Sequence, residues 1–320
     1  MSLGRGSSIE RQSRSWIQNL LAFAALLGGV VSTPITLLNN GSFLLEERAT
    51  TTTLTAGILT NMKYYVQHAA AAYCNSDTSK IGSKITCGYN ACPAVAANSV
   101  TNYAYLGFDQ SQVEGYVGID SANKTIVISY KGTKSFANFI ADLLVPKESC
   151  SDLISGCKAH QGFLYAWGDV KSNTMAAVKS AKAAYPSYSI ILTGHSLGGA
   201  VATIAAAYLR KAGYACDVYS YGSPRVGNEA FVNFVDTQAG AHYRVTHTDD
   251  PIPRFPGRIL GFYHTSPEFW LSTGSATSTS YALSDIRVCT GTTNNDCNAG
   301  TSSIGLTSHS YYFQDVSVCS

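Results

Sequence analysis

The chain has 320 residues, of which 45% are hydrophobic, so it can bury a substantial core in one large domain or two small ones. Its 22 basic and 20 acidic residues give a formal net charge of only +2, and no run of Lys or Arg breaks this balance. Nucleic-acid binding, which normally needs a basic surface, is therefore not expected.

The first 32 residues have the three parts of a secretory signal peptide. Arg5, Arg11 and Arg14 precede the apolar run 20–31, and small residues follow it. This run has 12 residues, whereas a helix that spans a bilayer needs about 20. We therefore predict that residues 1–32 are a cleaved signal peptide and that the mature protein is secreted and soluble. An uncleaved signal anchor is the alternative.

The region after the signal peptide begins without a regular hydrophobic period. Residues 33–48 end in Arg48, which resembles a basic processing site, and we interpret them as a propeptide. From residue 54 the apolar residues recur at helical spacing. Two strand-like stretches, 113–119 and 125–130, then flank a turn that carries Asn123-Lys-Thr, an acceptor for N-glycosylation.

Strands and helices alternate after residue 130. The pattern predicts helices at about 167–184, 200–211 and 229–237, and strands at 188–193, 217–221 and 242–246. Such alternation is typical of an α/β protein with a mostly parallel central sheet and helices on both faces. No segment resembles an interdomain linker, so residues 49–320 are predicted to form a single domain.

Nine cysteines follow the predicted signal peptide, and in a secreted chain they indicate disulfides. Cys74 and Cys319 lie near the two ends of the mature chain and could join them, and three further sets are close in sequence. Cys216 remains, in an apolar stretch where a thiol behaves as a small hydrophobe. No cysteine spacing matches a zinc site and no His-Glu-x-x-His motif occurs, so no metal is expected. The close sets are Cys87 and Cys92, Cys150 and Cys157, and Cys289 and Cys297.

The strongest chemical motif is Gly194-His-Ser-Leu-Gly198, which lies between a predicted strand and a predicted helix. In this setting Gly-x-Ser-x-Gly is the elbow that presents a nucleophilic serine, here Ser196. The flanking glycines lack the Cβ atoms that would clash in so sharp a turn, and the helix N-terminus beneath the serine favours a developing negative charge. A purely structural turn is the alternative, which the flanking strand and helix disfavour.

A serine nucleophile needs a base, and the base needs an acid that orients it; in hydrolases of this kind the chain order is serine, acid, histidine. Asp249 and Asp250 follow the predicted strand 242–246, at the sheet edge where such folds place functional groups. His264 and His309 are the histidines that come after these carboxylates. The residues alone do not choose between the two acids or the two bases.

The sequence resembles the filamentous-fungal triacylglycerol lipases and their feruloyl-esterase relatives, which form the class 3 lipase family. The resemblance spans about residues 54–320 and rests on seven segments in the same order. They are Ala69-Ala-Ala-Ala-Tyr-Cys74, Lys131-Gly-Thr-Lys-Ser135, His160-Gln-Gly-Phe163, Thr193-Gly-His-Ser-Leu-Gly-Gly199, Ser220-Tyr-Gly-Ser-Pro-Arg-Val-Gly-Asn228, His247-Thr-Asp-Asp-Pro-Ile-Pro-Arg254 and Tyr263-His-Thr-Ser-Pro-Glu-Phe-Trp270.

The resemblance implies an α/β-hydrolase fold and a triad of Ser196, Asp250 and His309. It implies an oxyanion hole formed by the backbone N–H of Leu197 and by Thr133, for which a simple turn after the strand is the alternative. The implied reaction is hydrolysis of a carboxylic ester through an acyl-enzyme, without a metal or organic cofactor. The implied substrate is a lipid or ester at a lipid–water interface, with no stable protein partner.

The same resemblance pairs the cysteines. It implies the disulfides Cys74–Cys319, Cys87–Cys92 and Cys150–Cys157, while Cys289–Cys297 resembles a pair found in the feruloyl-esterase branch. This assignment leaves Cys216 as a free thiol.

The segment after Thr133 predicts a short helical lid. Its apolar residues recur at i, i+3, i+4, i+7 and i+8, which places them on one helical face, with Asn138 and Asp142 on the other. The lipase family carries its mobile lid at this position, although an ordinary helix packed on the core is the alternative. A lid favours a lipase over a feruloyl esterase, and the complete triad disfavours a non-catalytic lipid carrier. The lid residues are Phe136, Phe139, Ile140, Leu143 and Leu144.

Overall fold

The computed structural model describes residues 53–108, 113–133, 143 and 146–319. These residues belong to one compact unit. The predicted signal peptide, the predicted propeptide and four of the five predicted lid residues (Phe136, Phe139, Ile140 and Leu144) lie outside the described residues.

Within the described residues the chain forms ten β-strands and five α-helices. The strands are β1 (Thr101–Leu106), β2 (Gly115–Asp120), β3 (Thr125–Tyr130), β4 (Lys147–Ser149), β5 (Lys158–His160), β6 (Ser189–His195), β7 (Cys216–Tyr221), β8 (His242–His247), β9 (Glu268–Leu271) and β10 (Ile286–Cys289). The helices are α1 (Ala56–Asn75), α2 (Pro93–Ala97), α3 (Gln161–Ala184), α4 (Leu197–Lys211) and α5 (Glu229–Thr237). No helix in this part of the chain is long and apolar enough to cross a membrane.

Eight strands form one sheet in the order β1-β2-β3-β6-β7-β8-β9-β10, and β4 and β5 form a separate antiparallel pair. Strands β3, β6, β7, β8 and β9 run parallel, whereas β1, β2 and β10 join the two edges in antiparallel pairs. The mostly parallel sheet predicted from the sequence pattern is therefore confirmed. Because the central strands are parallel, their carboxyl ends lie along one edge, where such folds place their sites.

Both faces of the central strands are largely buried. All six residues of β3 are buried. Ile126 and Ile128 pack into the core cluster that contains residues of α3 and α4, whereas Val127 packs into the cluster on the opposite face with residues of α1. Successive side chains of a strand point to opposite faces, so this division requires helices on both sides of the sheet.

Helix α3 begins at Gln161, well before the start at about residue 167 that the sequence pattern predicted. Phe163, Ala166, Trp167 and Val170 are all buried, so the helical spacing of apolar residues already starts at Phe163. Gly162 is a poor helix former and obscured this first turn in the sequence. The helix therefore follows β5 directly.

Four disulfides connect distant or neighbouring parts of the described chain: Cys74–Cys319, Cys87–Cys92, Cys150–Cys157 and Cys289–Cys297. These are the pairs that the family resemblance implied. Cys74–Cys319 joins the end of α1 to the C-terminal segment across a sequence separation of 245 residues. Cys216, at the start of β7, is a free thiol and is buried.

Candidate active site

Ser196 occupies a sharp turn between β6 and α4. Its backbone has φ 55° and ψ −124°, a positive-φ conformation that residues with a side chain rarely adopt. A Cβ atom at Gly194 would collide with the backbone of Gly198, and one at Gly198 would collide with the carbonyl of Tyr130. Ser196 itself is fully buried. This is the strained strand–turn–helix geometry expected of a nucleophile elbow.

Two backbone segments lie at this elbow: the start of α4 and the chain that follows β3. Helix α4 begins at Leu197, so the N–H of Leu197 is one of the amide donors that lack an intrahelical partner, at the positive end of the helix dipole. Strand β3 pairs with β6, and the chain after β3 contains Gly132 and Thr133. A Cβ atom at Gly132 would lie only 2.8 Å from the carbonyl oxygen of His195, so this backbone is in close contact with the elbow. Thr133 and Leu197 are thus brought to the same edge of the sheet.

Asp250 lies in the turn after β8 and is fully buried. Its Oδ1 accepts a hydrogen bond from the backbone N–H of Ile252 at 2.9 Å. Its Oδ2 accepts from Nδ1 of His309 at 2.7 Å and from the hydroxyl of Tyr312. A carboxylate is costly to bury unless donors replace its lost hydration, and three donors do so here.

His309 lies in the short helical turn Leu306–Ser310 and is buried. Because Nδ1 donates to Asp250, Nε2 is the ring nitrogen that can accept a proton. Gly222, just after β7, leaves space for the ring, since a Cβ atom there would lie 2.9 Å from Cε1 of His309. Gly222 also has a φ of 59°, which favours glycine.

His309 packs against His195, the residue that precedes Ser196 in the elbow. The rings of His195 and His309 lie 4.5 Å apart between centroids, and His195 directly precedes Ser196 in the chain. The N–H of Ser196 donates to the carbonyl of Tyr221 at 2.9 Å, which ties the elbow to the end of β7. The structure therefore places Asp250 in contact with His309, and it places His309 against the segment that carries Ser196.

The two alternatives that the sequence left open have other contacts. His264 is buried, and its Nε2 donates to the carbonyl of Pro253 at 2.6 Å. Burial lowers the pKa of His264 well below its usual range, so this ring is neutral. Asp249 is partly exposed and accepts from the hydroxyl of Ser308 at 2.7 Å, a bond that holds the pKa of Asp249 below its usual range. Asp250 is the neighbour that reaches His309.

Three further buried residues, which the sequence pattern did not reveal, contact Asp250 or the backbone around His309. Tyr312 donates to Asp250. Nε2 of His195 lies 2.7 Å from the carbonyl oxygen of His309, and Nδ1 of His247 lies 2.9 Å from that of Ser308. His195 is the last residue of β6 and His247 is the last residue of β8, and no local pattern in the sequence indicates that their rings contact the segment of His309.

Of the predicted lid and glycosylation residues, Leu143 and Asn123 lie within the described part of the chain. Leu143, the described member of the predicted lid, is fully buried in the core cluster that also contains Phe163 and Trp167. Asn123 is exposed in the turn between β2 and β3, where a sugar would be tolerated, and its side-chain amide donates to Asp120 at 2.8 Å. The lid and the glycosylation remain predictions.

Within the described residues, one group of side chains has the spacing of metal ligands. The sulfur atoms of Cys74, Cys87 and Cys319 lie within 4.8 Å of one another. All three belong to disulfides and therefore offer no thiolate to a metal ion.

The chain is similar to known fungal enzymes over most of its length. Residues 127–259 match the family model described as lipase (class 3). The secreted mono- and diacylglycerol lipase 1 of Fusarium solani is 44% identical over 303 residues, which cover 95% of this chain and 88% of that relative. The secreted mono- and diacylglycerol lipase A of Penicillium cyclopium is 36% identical over 264 residues, which cover 81% of this chain and 85% of that relative. The crystal structure of a mono- and diacylglycerol lipase from Aspergillus oryzae has a TM-score of 0.78 and 34% identity, and the match covers 84% of this chain and 100% of that one.

A mostly parallel sheet with a serine elbow at the end of a central strand defines an α/β-hydrolase. The identity of 44% over 95% of the chain shows that the protein belongs to the class 3 lipase family. It is a secreted hydrolase of carboxylic esters, so the predicted family, fold class, reaction class and location are confirmed.

Proposed function

We propose that this enzyme hydrolyses acyl esters of glycerol, with mono- and diacylglycerols as preferred substrates, through a triad of Ser196, His309 and Asp250. The observation that carries the proposal is the buried contact of 2.7 Å between His309 Nδ1 and Asp250 Oδ2, beside a serine held in a strained elbow. These three residues come from the ends of β6 and β8 and from the C-terminal turn. Nucleophilic catalysis by serine requires a base beside the serine and an acid that orients the base.

In the first half of the proposed reaction, Nε2 of His309 takes the hydroxyl proton of Ser196 while Oγ attacks the ester carbonyl carbon. Asp250 keeps the His309 ring in the tautomer with the proton on Nδ1 and stabilises the imidazolium that forms. Thr133 and the backbone N–H of Leu197 stabilise the oxyanion of the tetrahedral intermediate. His309 then returns its proton to the departing glycerol oxygen, and the acyl group remains on Ser196.

In the second half, water takes the place of the alcohol. His309 accepts a proton from this water as its oxygen attacks the acyl-enzyme, and the same oxyanion donors stabilise the second intermediate. The fatty acid leaves when His309 protonates Ser196 Oγ. In this proposed cycle, side chains and backbone amides of the chain transfer the protons and stabilise the oxyanions.

The preference for partial glycerides rests on two relatives that are named as mono- and diacylglycerol lipases and are 44% and 36% identical to this chain. The resemblance of the sequence motifs alone points to triacylglycerols, which are the second candidate. Because these relatives are lipases, the feruloyl-esterase alternative is not favoured. The proposed substrate is presented at a lipid–water interface.

A substrate panel tests this proposal. The purified secreted enzyme is assayed on emulsified monoolein, diolein and triolein and on methyl ferulate, with Ser196→Ala as the control for background release. We expect fatty acid to be released faster from monoolein and diolein than from triolein, and little hydrolysis of methyl ferulate. A higher rate on triolein would make the enzyme a triacylglycerol lipase, and a higher rate on methyl ferulate would contradict the proposed substrate class.

A further inference from the structure

Two buried histidines contact the backbone on both sides of His309. Nδ1 of His247 lies 2.9 Å from the carbonyl oxygen of Ser308, and Nε2 of His195 lies 2.7 Å from the carbonyl oxygen of His309. These two carbonyls belong to the peptide groups immediately before and after the α-carbon of His309. The backbone that carries its ring is therefore held at both sides.

A carbonyl oxygen can only accept, so each contact determines which ring nitrogen carries the proton. His247 carries its proton on Nδ1, and its Nε2 accepts from the hydroxyl of Tyr281, 2.7 Å away. His195 carries its proton on Nε2, and its Nδ1 accepts from the hydroxyl of Tyr73, 3.1 Å away. Burial lowers the pKa of both rings, which keeps them neutral. Each tyrosine hydroxyl can then donate to the other ring nitrogen, which stabilises the tautomer that donates to the His309 turn.

Each of the two histidines also belongs to the segment of another triad residue. His195 is the last residue of β6 and precedes Ser196 in the chain. His247 is the last residue of β8, and its carbonyl accepts from the N–H of Asp250 at 2.9 Å. The two contacts therefore join the strand of the nucleophile and the strand of the acid to the turn of the base.

The turn needs such contacts because it lies outside the sheet. Leu306–Ser310 is a short helical turn, and its first residue, Leu306, is 51% exposed. Strand pairing, which fixes the backbone of β6 and β8, is not what holds His309 in place.

We propose that His195 with Tyr73 and His247 with Tyr281 form a backbone clamp that positions His309 between Ser196 and Asp250. The four residues are positioning residues, since they act through the backbone of His309, and the inference rests on the proposed triad. A misplacement of about 1 Å in a catalytic geometry can cost about 100-fold in rate. Loosening one side of the clamp is therefore expected to reduce turnover strongly.

Substitutions on the His247 side test the clamp, because His195 is too close in sequence to Ser196 to be changed cleanly. His247→Leu removes the donor to Ser308, and we expect kcat on soluble p-nitrophenyl butyrate to fall by about 10- to 100-fold while KM changes little. In His247→Asn the side-chain amide can replace Nδ1 as the donor, and we expect it to restore most of kcat. Tyr281→Phe removes the hydroxyl that donates to Nε2 of His247 and should give an intermediate kcat.

His68→Leu is the matched control for a general loss of stability. His68 is also fully buried, and its Nδ1 lies 2.8 Å from the hydroxyl of a tyrosine, Tyr116, but this pair lies on α1 and β2. We expect His68→Leu to lower the melting temperature without lowering kcat of the folded enzyme. Should His247→Leu fail to fold, the comparison of His247→Asn with Tyr281→Phe still measures the clamp.

The possible outcomes separate the clamp from the triad. Three results would overturn the clamp. The first is an unchanged kcat in His247→Leu and Tyr281→Phe, and the second is a loss of kcat no larger than that of His68→Leu. The third is a kcat in His247→Asn that does not recover. Ser196→Ala is measured beside them. Retained activity in Ser196→Ala would refute the triad itself, whereas an inactive Ser196→Ala with a normal His247→Leu would refute the clamp alone.

Discussion

The hydroxyl of Tyr312 donates a hydrogen bond to Oδ2 of Asp250, the same carboxylate oxygen that accepts from Nδ1 of His309. Tyr312 is fully buried, three residues after His309. Burial, together with the neighbouring Asp250 carboxylate, raises the pKa of the Tyr312 hydroxyl well above its usual value, so it keeps its proton and remains a donor. Tyr312 and His309 therefore both compensate the desolvation of one buried charge.

We expect Tyr312→Phe to destabilise the protein more than it slows catalysis. Removing a donor from a buried charged group should lower the free energy of unfolding by about 1.5–3 kcal/mol. The contact between His309 and Asp250 remains, so kcat should fall much less than in Asp250→Asn. Chemical denaturation and kcat on a soluble ester measure the two effects. Equal losses of kcat in the two variants would mean that the tyrosine hydroxyl is as important for turnover as the carboxylate.

We expect Cys216 to be the only cysteine that reacts with an alkylating reagent in the unreduced protein, and to react slowly. The other eight cysteines are joined in four disulfides. Burial raises the pKa of the Cys216 thiol to about 11, although the nearby positive charge of Arg210 lowers it by a smaller amount. At pH 8 the thiolate, which is the reactive form, is therefore scarce as well as inaccessible. Mass spectrometry of the iodoacetamide-treated protein should show one slow label, which becomes fast in denaturant. Rapid labelling of the native protein, or a second label in denaturant, would contradict this assignment.

The lid prediction is tested by a single charge on the predicted apolar face. Phe139→Asp should weaken activity on emulsified glyceride and spare a short soluble ester, because a charge opposes insertion of that face into lipid. Asn138→Asp places the same charge on the opposite, polar face and is the matched control. Leu143 is unsuitable for this test because it is fully buried, so a charge there would disturb folding. An equal loss of activity on both substrates in Phe139→Asp would indicate a core helix. No loss of activity on either substrate would contradict the lid prediction.

The parallel part of the sheet could be predicted from the sequence, whereas its edges could not. Strand β3 was predicted with the bounds that the structure gives, because its apolar centre, Ile126-Val-Ile128, is typical of a strand buried on both faces. Strand β1 has a mixed pattern of buried and half-exposed residues, and β9 and β10 are only four residues long. Such short or irregular strands exist because neighbours pair with them, and a local hydrophobic pattern does not contain that information.

The site was predictable where it depends on local geometry. Gly194 and Gly198 surround Ser196 because the turn itself excludes side chains, and that requirement is visible in the sequence. The choice between Asp249 and Asp250 depends instead on which carboxylate reaches His309, a residue 59 positions away in the chain. Contacts of this kind are tertiary, and without the family resemblance the residues left both choices open.

The paired substitutions Asp250→Asn and Asp249→Asn test the proposed triad most directly. Asp250→Asn removes the charge that stabilises the imidazolium of His309, and we expect kcat to fall by about 10⁴-fold, as in other triads. Asp249→Asn keeps an oxygen acceptor for the Ser308 hydroxyl and should retain nearly full activity. The measurement is kcat on one soluble ester, with circular dichroism to show that both variants are folded. A large loss in Asp250→Asn alone is the predicted result; an equal loss in Asp249→Asn, or full activity in Asp250→Asn, would contradict it.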